Sequence, residues 1–405
     1  MSRRRNWARL GVIVLTMGLL AFTVAACGDD DDDGGDSGGE SAASFKPKHN
    51  PDFFDREEME RQLAQRDIEP EDFGAGDNPW EMAIEPELVD TSEYKKPGPW
   101  NICFSNAAVD NPWRETGWTT MQAQVEELGD QIANFEAVDA EASDDKQISD
   151  IQSLARGNCD ALIISPNTTA TLTPAVKKAC QTGIPVIVFD RGVNTDCPVT
   201  FIHPIGGYAF GADGAEFIAD NVEEGGKVLA LRILPGVDVL ETRWSAAQEV
   251  FSEAGIDVVG DEFTEGDAAT AKQIVTDYIE REGGLDGVWM DAGAVGVAAA
   301  EAFEDAGQEI PPINGEDQLD FLRKWQEDGL TAIAPVYSNF QWRTPIIAAV
   351  RILNGEEVPK EWVLPQEPVT QDDLEEVVSA NEDMPPLHYA TCGCEDLPGY
   401  PDNWK

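Results

Sequence analysis

Residues 160–191 read DALIISPNTTATLTPAVKKACQTGIPVIVFDR, and this stretch decides the fold. A short apolar run, 161–165, stops at the turn-forming Pro166-Asn167-Thr168. Through 171–182 the apolar residues Leu172, Val176 and Ala179 share one helical face, with Thr171 placed to cap the helix and Gly183 to end it. Ile184-Pro185-Val186-Ile187-Val188-Phe189 then follows with little polar alternation, the pattern of a strand covered by helices on both sides. Strand, helix and strand in this order argue for β/α units around a parallel sheet.

The same rhythm runs outward in both directions. Before the quoted stretch, apolar runs at 100–105 and 131–137 alternate with helical patterns at 116–128 and 146–156. After it, a second series repeats: helices at 209–221, 242–254, 268–281 and 295–306, strands at 227–233, 256–259, 287–290 and 313–315. Two α/β lobes are expected. Residues 45–99 are polar, with one helix-like patch at 57–66, and read as an N-terminal extension onto the main body. Residues 376–405, acidic and then carrying Cys392 and Cys394, read as a tail strapped across a lobe.

The first residues carry an address. Arg3, Arg4, Arg5 and Arg9 flank the start of an apolar run, 10–24, that ends in Val24-Ala25-Ala26-Cys27. The run is shorter than the roughly 20 residues a spanning helix needs. A charged start, an apolar centre and small residues before a cysteine resemble a bacterial lipoprotein signal. The resemblance implies a signal peptide over 1–26 and a lipidated Cys27 as first mature residue, holding the protein to the outer face of the cytoplasmic membrane. Residues 27–44, largely Asp and Gly, are expected to form a disordered acidic linker. Its run Asp29 to Asp33 reads as a solvated tether rather than a calcium site.

Composition narrows the function. Lys and Arg number 28 against 77 Asp and Glu, a formal charge of -49. Nucleic acid and anionic lipid surfaces need a cationic partner, so neither is expected here. At this density neighbouring carboxylates arise by chance and do not argue for acid/base catalysis. The histidines His49, His203 and His388 are far apart, and no nucleophile-elbow, zinc-protease or phosphate-loop motif is present. An enzyme is not expected, nor is a cofactor or a metal. Six cysteines follow Cys27, an even number that argues for disulfides outside the cytoplasm. Cys180, ending a helix, and Cys197, in the loop after the next strand, are the expected pair; Cys392-Gly393-Cys394 reads as a structural bridge.

In open α/β sheets ligands bind beyond the carboxyl ends of the strands. The polar residues there are Asn111, Trp113 and Arg114 after the first strand, Asp190-Arg191 after 184–189, then Arg243, Asp291 and Glu316-Asp317-Gln318 in the second series. Carboxylates that accept, guanidinium forks that donate and aromatic faces together suit a polyhydroxylated molecule. Singly, Asp190-Arg191 also reads as a strand-end ion pair and Asp291 and Asp317 as helix caps.

Asn111-Pro112-Trp113, the stretch 160–191 with Ser165-Pro166-Asn167 and Asp190-Arg191, and Gly315-Glu316-Asp317 resemble, in order and spacing, the ribose-type sugar-binding proteins of ABC importers. The resemblance covers 100–369. It implies a type I periplasmic binding protein: two Rossmann-like lobes joined by a three-stranded hinge, closing on a small sugar or polyol and presenting it to an ABC permease, as a monomer. Lobe 1 would comprise 100–204 and 336–359, lobe 2 205–335 and 360–375. The crossings would lie near His203-Pro204, Ala334-Pro335 and Val358-Pro359, where proline suits a connection outside the sheet. Carried over, Asn111, Trp113, Arg114, Asp190 and Arg191 would line one side, Arg243, Asp291 and Asp317 the other. Two positions depart from the family pattern: Pro335, with Tyr337 nearby, stands where a glutamine is usual, and Arg114 where an aromatic is. These departures do not imply ribose itself and leave a larger or differently substituted sugar, or a polyol, open. A lipid-anchored sensor for a signalling partner shares every feature above and is one alternative; binding of a non-sugar solute is the other.

Overall fold

The computed structural model describes residues 45–74 and 78–405; the expected signal, Cys27 and most of the acidic linker lie outside the described residues. The first lobe is built on β1 (Trp100–Asn106), β2 (Ile132–Asp139), β3 (Ala161–Ile164), β4 (Val186–Phe189) and β5 (Thr200–Pro204). The second holds β6 (Lys227–Arg232), β7 (Asp257–Phe263), β8 (Gly287–Met290), β9 (Ile313–Asn314) and β10 (Ala332–Ile333). The chain then returns, and β11 (Glu361–Leu364) runs parallel to β5. The sheet orders are β11-β5-β4-β3-β1-β2 and β7-β6-β8-β9-β10, with every neighbouring pair parallel.

Every residue of β3 and β4 is buried, as their unbroken apolar runs require of strands with helices on both faces. The helix between them spans Thr169–Cys180, so Thr168 rather than Thr171 sits at the N-cap position. The Pro166-Asn167 turn is short enough for the helix to begin at once, and Thr168 Oγ1 donates to Asp144 Oδ2 at 2.7 Å instead of capping. One core packs Ile102, Phe104, Ile163, Phe189, Trp342 and Trp362 in the first lobe; another packs Leu229, Val288, Met290, Phe303, Phe321 and Trp325 in the second.

The lobes are crossed three times, with one correction to the expected places. The first crossing follows β5, before the helix Gly207–Asn221, and the second follows β10. The third does not fall at Val358–Pro359, which pair with Leu88–Val89 of the N-terminal extension. The chain stays in the first lobe through β11 and crosses before Val369, which bridges Ala334 and joins the second core. Residues 360–375, expected in the second lobe, are therefore divided between the two. The burial of Trp362, Val363 and Leu364 in β11, paired with β5, outweighs the Pro359 signal, because proline is tolerated at an edge.

The extension spans both lobes. Its helix Arg56–Gln65 is capped by Asp55, whose carboxylate accepts from Glu57 and Glu58 N–H. It packs on the second lobe through Tyr208: the phenol donates to Phe53 O at 3.0 Å and accepts from Asp55 N–H at 2.7 Å, and Gln62 Oε1 accepts from Tyr208 N–H at 3.0 Å. Farther along, Met82 O accepts from the Trp362 indole at 2.8 Å in the first lobe. Beside the hinge His203 Nε2 lies 3.0 Å from Glu361 Oε1, and this bond, with Arg61 next to it, holds the Glu361 carboxyl down to about 2. Disulfides join Cys180 to Cys197, the expected pair, and also Cys103 to Cys159 and Cys392 to Cys394. No described helix is long and apolar enough to cross a membrane.

Candidate functional site

The strand ends of the two lobes meet at Tyr337, in the second crossing. On the first-lobe side the chain leaves β4 through a one-residue turn: Arg191 N–H donates to Phe189 O at 3.0 Å, with Asp190 at φ 68° between them. Positive φ is uncommon for a residue other than glycine and, where it persists, the surroundings must hold it. They do so here. Asp190 Oδ2 accepts from Arg114 Nη2 at 2.7 Å and from Ser165 Oγ at 3.3 Å, and the Tyr337 phenol donates to Asp190 O at 3.2 Å.

Arg114 comes from the first turn of the helix Pro112–Leu128. Asn111 caps that helix by accepting from Arg114 N–H at 3.0 Å, and Pro112 occupies the first helical position, where no N–H is needed. The guanidinium lies 5.7 Å from the Trp113 ring, whose indole donates to Tyr337 O at 2.9 Å. Arg191 donates from Nη1 to Asn167 O at 2.7 Å. Burial and the neighbouring charge of Arg114 push the Arg191 guanidinium below its ordinary pKa.

On the second-lobe side Arg243 projects from the helix Asp238–Glu253. That helix crosses Gly207–Asn221 at Gly211, where a Cβ would overlap the Arg243 carbonyl, so only glycine permits the approach. Arg243 Nη1 donates to Asp291 O at 2.6 Å and lies 3.4 Å from Glu316 Oε1. Its guanidinium sits 3.7 Å over the Phe210 ring and 5.3 Å from the Tyr337 ring. Asp291, at the end of β8, accepts from Ile233 N–H with both oxygens, at 2.9 and 3.2 Å. Burial pushes its carboxyl up to about 7, against the pull of Arg243 and Arg232. Glu316 Oε2 accepts from Gly293 N–H and from the Tyr389 phenol, each at 3.1 Å.

Trp113, Arg114, Asp190, Arg191, Tyr337, Arg243 and Asp291 are thus gathered around one point. Three expected residues are turned to other work, the Asp291 carboxylate among them through Ile233 N–H. Asn111 is exposed and its oxygen is used by the helix cap. Asp317 faces the C-terminal tail, its Oδ2 accepting from Thr391 N–H at 2.8 Å and Thr391 Oγ1 at 2.5 Å, and burial pushes its carboxyl up to about 6. Glu316 occupies the place beside Arg243 instead; its signal was its position at the end of β9, next to Asp317. Tyr389, 73 positions from Glu316, gives no local signal. Cys392 and Cys394 are bonded to each other, with His388 Nε2 3.5 Å from Cys392 Sγ, so the three do not offer free thiolates to a metal.

The periplasmic binding protein domain family matches residues 102–357, and the chain belongs to that family. It is 24% identical over 259 residues to a ribose import binding protein of Bacillus subtilis, covering 64% of this chain and 83% of that protein. Among solved structures, an ABC transporter solute-binding protein from Thermobispora bispora superposes with TM-score 0.63 and 23% identity, over 72% of this chain and 90% of that one. One from Bacillus halodurans, with bound myo-inositol, superposes with TM-score 0.62 and 20% identity, over 69% and 98%. The fold is that of the type I periplasmic binding proteins, and these relatives are solute-binding proteins by name rather than enzymes.

Proposed function

We propose that this chain is an extracytoplasmic binding lipoprotein that captures a small sugar or polyol between its lobes and delivers it to an ABC import permease. The observation that carries the reading is the convergence on Tyr337 of the Arg114–Asp190 pair from one lobe and Arg243 from the other. Forked donors, carboxylate acceptors and the rings of Trp113 and Tyr337 suit a ring of hydroxyls, each of which donates and accepts once. Ligand contacts from both lobes supply the differential affinity that drives closure. Trp113, Arg114, Asp190, Arg191, Arg243, Asp291 and Tyr337 are the proposed contacts. Asn111 supports them through the helix cap, and Asp317 through the tail. Relatives named for ribose import or found with myo-inositol bound support the substrate class. Cys27, as the lipidated residue, supports the anchoring.

The test is a thermal-shift screen of the chain from residue 45 onward against pentoses, hexoses and polyols, D-ribose and myo-inositol among them. A ligand that binds only the folded state raises the melting temperature, by about 2.7 kcal/mol of stabilisation at a hundredfold excess over Kd. A rise with one of these, and recovery of that compound unaltered, is the expected result. A flat response to all of them sinks the substrate class, and turnover of the bound compound sinks the transport reading.

A further inference from the structure

Residues 381–405 lie beyond the segment matched by the family, yet they reach both sides of the candidate site. They run antiparallel to the end of β9 and the helix Leu319–Asp328: Ala390 N–H donates to Asp317 O at 2.8 Å, Leu319 N–H to His388 O at 3.0 Å and Asp320 N–H to Pro386 O at 2.8 Å. Met384, Ala390, Cys392, Cys394, Leu397 and Trp404 are buried in the second-lobe core, and Ala123 of the first lobe joins the same cluster.

Two groups then tie this tail to the first lobe. The Trp404 indole donates to Thr120 Oγ1 at 3.2 Å, in the helix that presents Arg114. Arg343, at the start of the first-lobe helix Thr344–Asn354, donates to Gly393 O and pairs with Asp396 Oδ1 at 2.6 Å. The Cys392–Cys394 link makes this possible. It places both sulfurs in the second-lobe core and turns Gly393, at φ 58°, outward against Trp80 and Phe340, where a side chain would not fit.

The tail also touches the candidate site itself. The Tyr389 phenol donates to Glu316 Oε2, whose other oxygen lies 3.4 Å from Arg243 Nη1. Tyr389, Glu316 and Arg243 are all buried, so the phenol, together with Gly293 N–H on the same oxygen, fixes where the Glu316 carboxylate points beside the guanidinium.

We infer that the C-terminal tail is a working part of the binding cleft: Tyr389 is a positioning residue for Arg243 through Glu316, and the Gly393 turn with Trp404 clasps the second lobe to the first. The tail therefore limits how far the lobes part while setting the geometry that meets the ligand. This rests on the binding reading above for its affinity arm, but not for its opening arm.

Both arms use the chain from residue 45 to 405. In the opening arm, small-angle scattering compares the ligand-free protein with the double variant Arg343→Met, Trp404→Phe, which removes the bonds from Arg343 to Gly393 O and Asp396 and from the indole to Thr120 with little change of volume. The expected result is a larger radius of gyration for the variant at unchanged secondary structure; an unchanged radius overturns the clasp. In the affinity arm, calorimetry with D-ribose and myo-inositol compares wild type, Tyr389→Phe, Glu316→Gln and the double variant. Loss of the phenol is expected to weaken binding about tenfold, the value of one hydrogen bond to a charged group. The same loss is expected to vanish in the Glu316→Gln background, since both changes act along one path. A lower melting temperature with unchanged Kd, or fully additive losses, overturns the positioning role. If wild type binds neither compound, the substrate reading is at fault, and the scattering result still decides the clasp.

Discussion

The two sides of the candidate site are built on opposite plans. On the first lobe Asp190, Arg114 and Ser165 hold one another, and Tyr337 of the adjoining crossing closes the set. On the second lobe Arg243 is held by backbone oxygen and by Glu316, and Glu316 in turn accepts from Gly293 N–H and from a tyrosine of the C-terminal tail. A rim whose partners lie in its own lobe is rigid before closure. A rim braced by a strap from outside can be tuned without altering the sheet, which is a route by which a shared fold changes ligand.

The sharpest way to break this contrast is at Asp190. Asp190→Ala leaves Arg114 buried without its carboxylate, and losing one partner of a buried pair costs about 3–5 kcal/mol. Urea unfolding should show that loss, and binding should disappear with it; Asp190→Asn, which tolerates positive φ, should recover part of the stability but not the binding. An equal stability for Asp190→Ala and wild type would mean that the first rim is not self-supporting.

On the opposite rim Gly211→Ala forces the helix carrying Arg243 outward. The overlap with a backbone carbonyl is expected to cost about 1–3 kcal/mol and to weaken ligand binding, while leaving the first-lobe disulfides and core unaffected by hydrogen exchange. Thr391→Val tests the tail more gently. It removes the hydroxyl from the buried Asp317 carboxylate, an expected loss of about 1–2 kcal/mol in thermal or urea unfolding, whereas Ser165→Ala, with its longer bond to Asp190, should cost less. A larger loss for Ser165→Ala would reverse the proposed order of the two rims.

A change of pH probes the same strand ends without a substitution. Asp291, Asp317 and Asp213 titrate at about 7, 6 and 6 in the folded chain against a usual 3.8, because each is buried. Folding therefore takes up protons across this window. The stabilisation is complete below the unfolded value and is lost as pH rises through about 6 to 7. Melting temperature should fall between pH 5 and 8, and Asp291→Asn should flatten the curve. Two of these carboxyls belong to the second lobe's strand ends, so a curve left unchanged by Asp291→Asn would place the titration elsewhere. Glu361, held near 2, acts in the opposite sense but only at lower pH.

Much of this was legible along the chain because its signals are local. The unbroken apolar run of β4 needs two covering layers wherever it is placed, and the helical spacing of Leu172, Val176 and Ala179 supplies one of them. Asp190-Arg191 stands at a strand end by adjacency alone, and Cys180 and Cys197 are neighbours because a helix end and the loop after the next strand lie on the same edge. Where an expectation failed, a remote partner had intervened. Val358–Pro359 read as a crossing until the extension's Leu88–Val89 paired with them, and Asp317 read as a ligand group until Thr391 took its oxygen.

The order of apolar runs and the residue types at strand ends were therefore determined by the sequence alone, since periodicity and turn chemistry act within a few residues. Only the tertiary structure decided which rim residues face one another, that Glu316 rather than Asp317 stands beside Arg243, and that the 45–99 extension and the C-terminal tail each bridge the lobes. These outcomes depend on contacts between segments far apart in the chain, whose competition for the same buried polar groups no local pattern records.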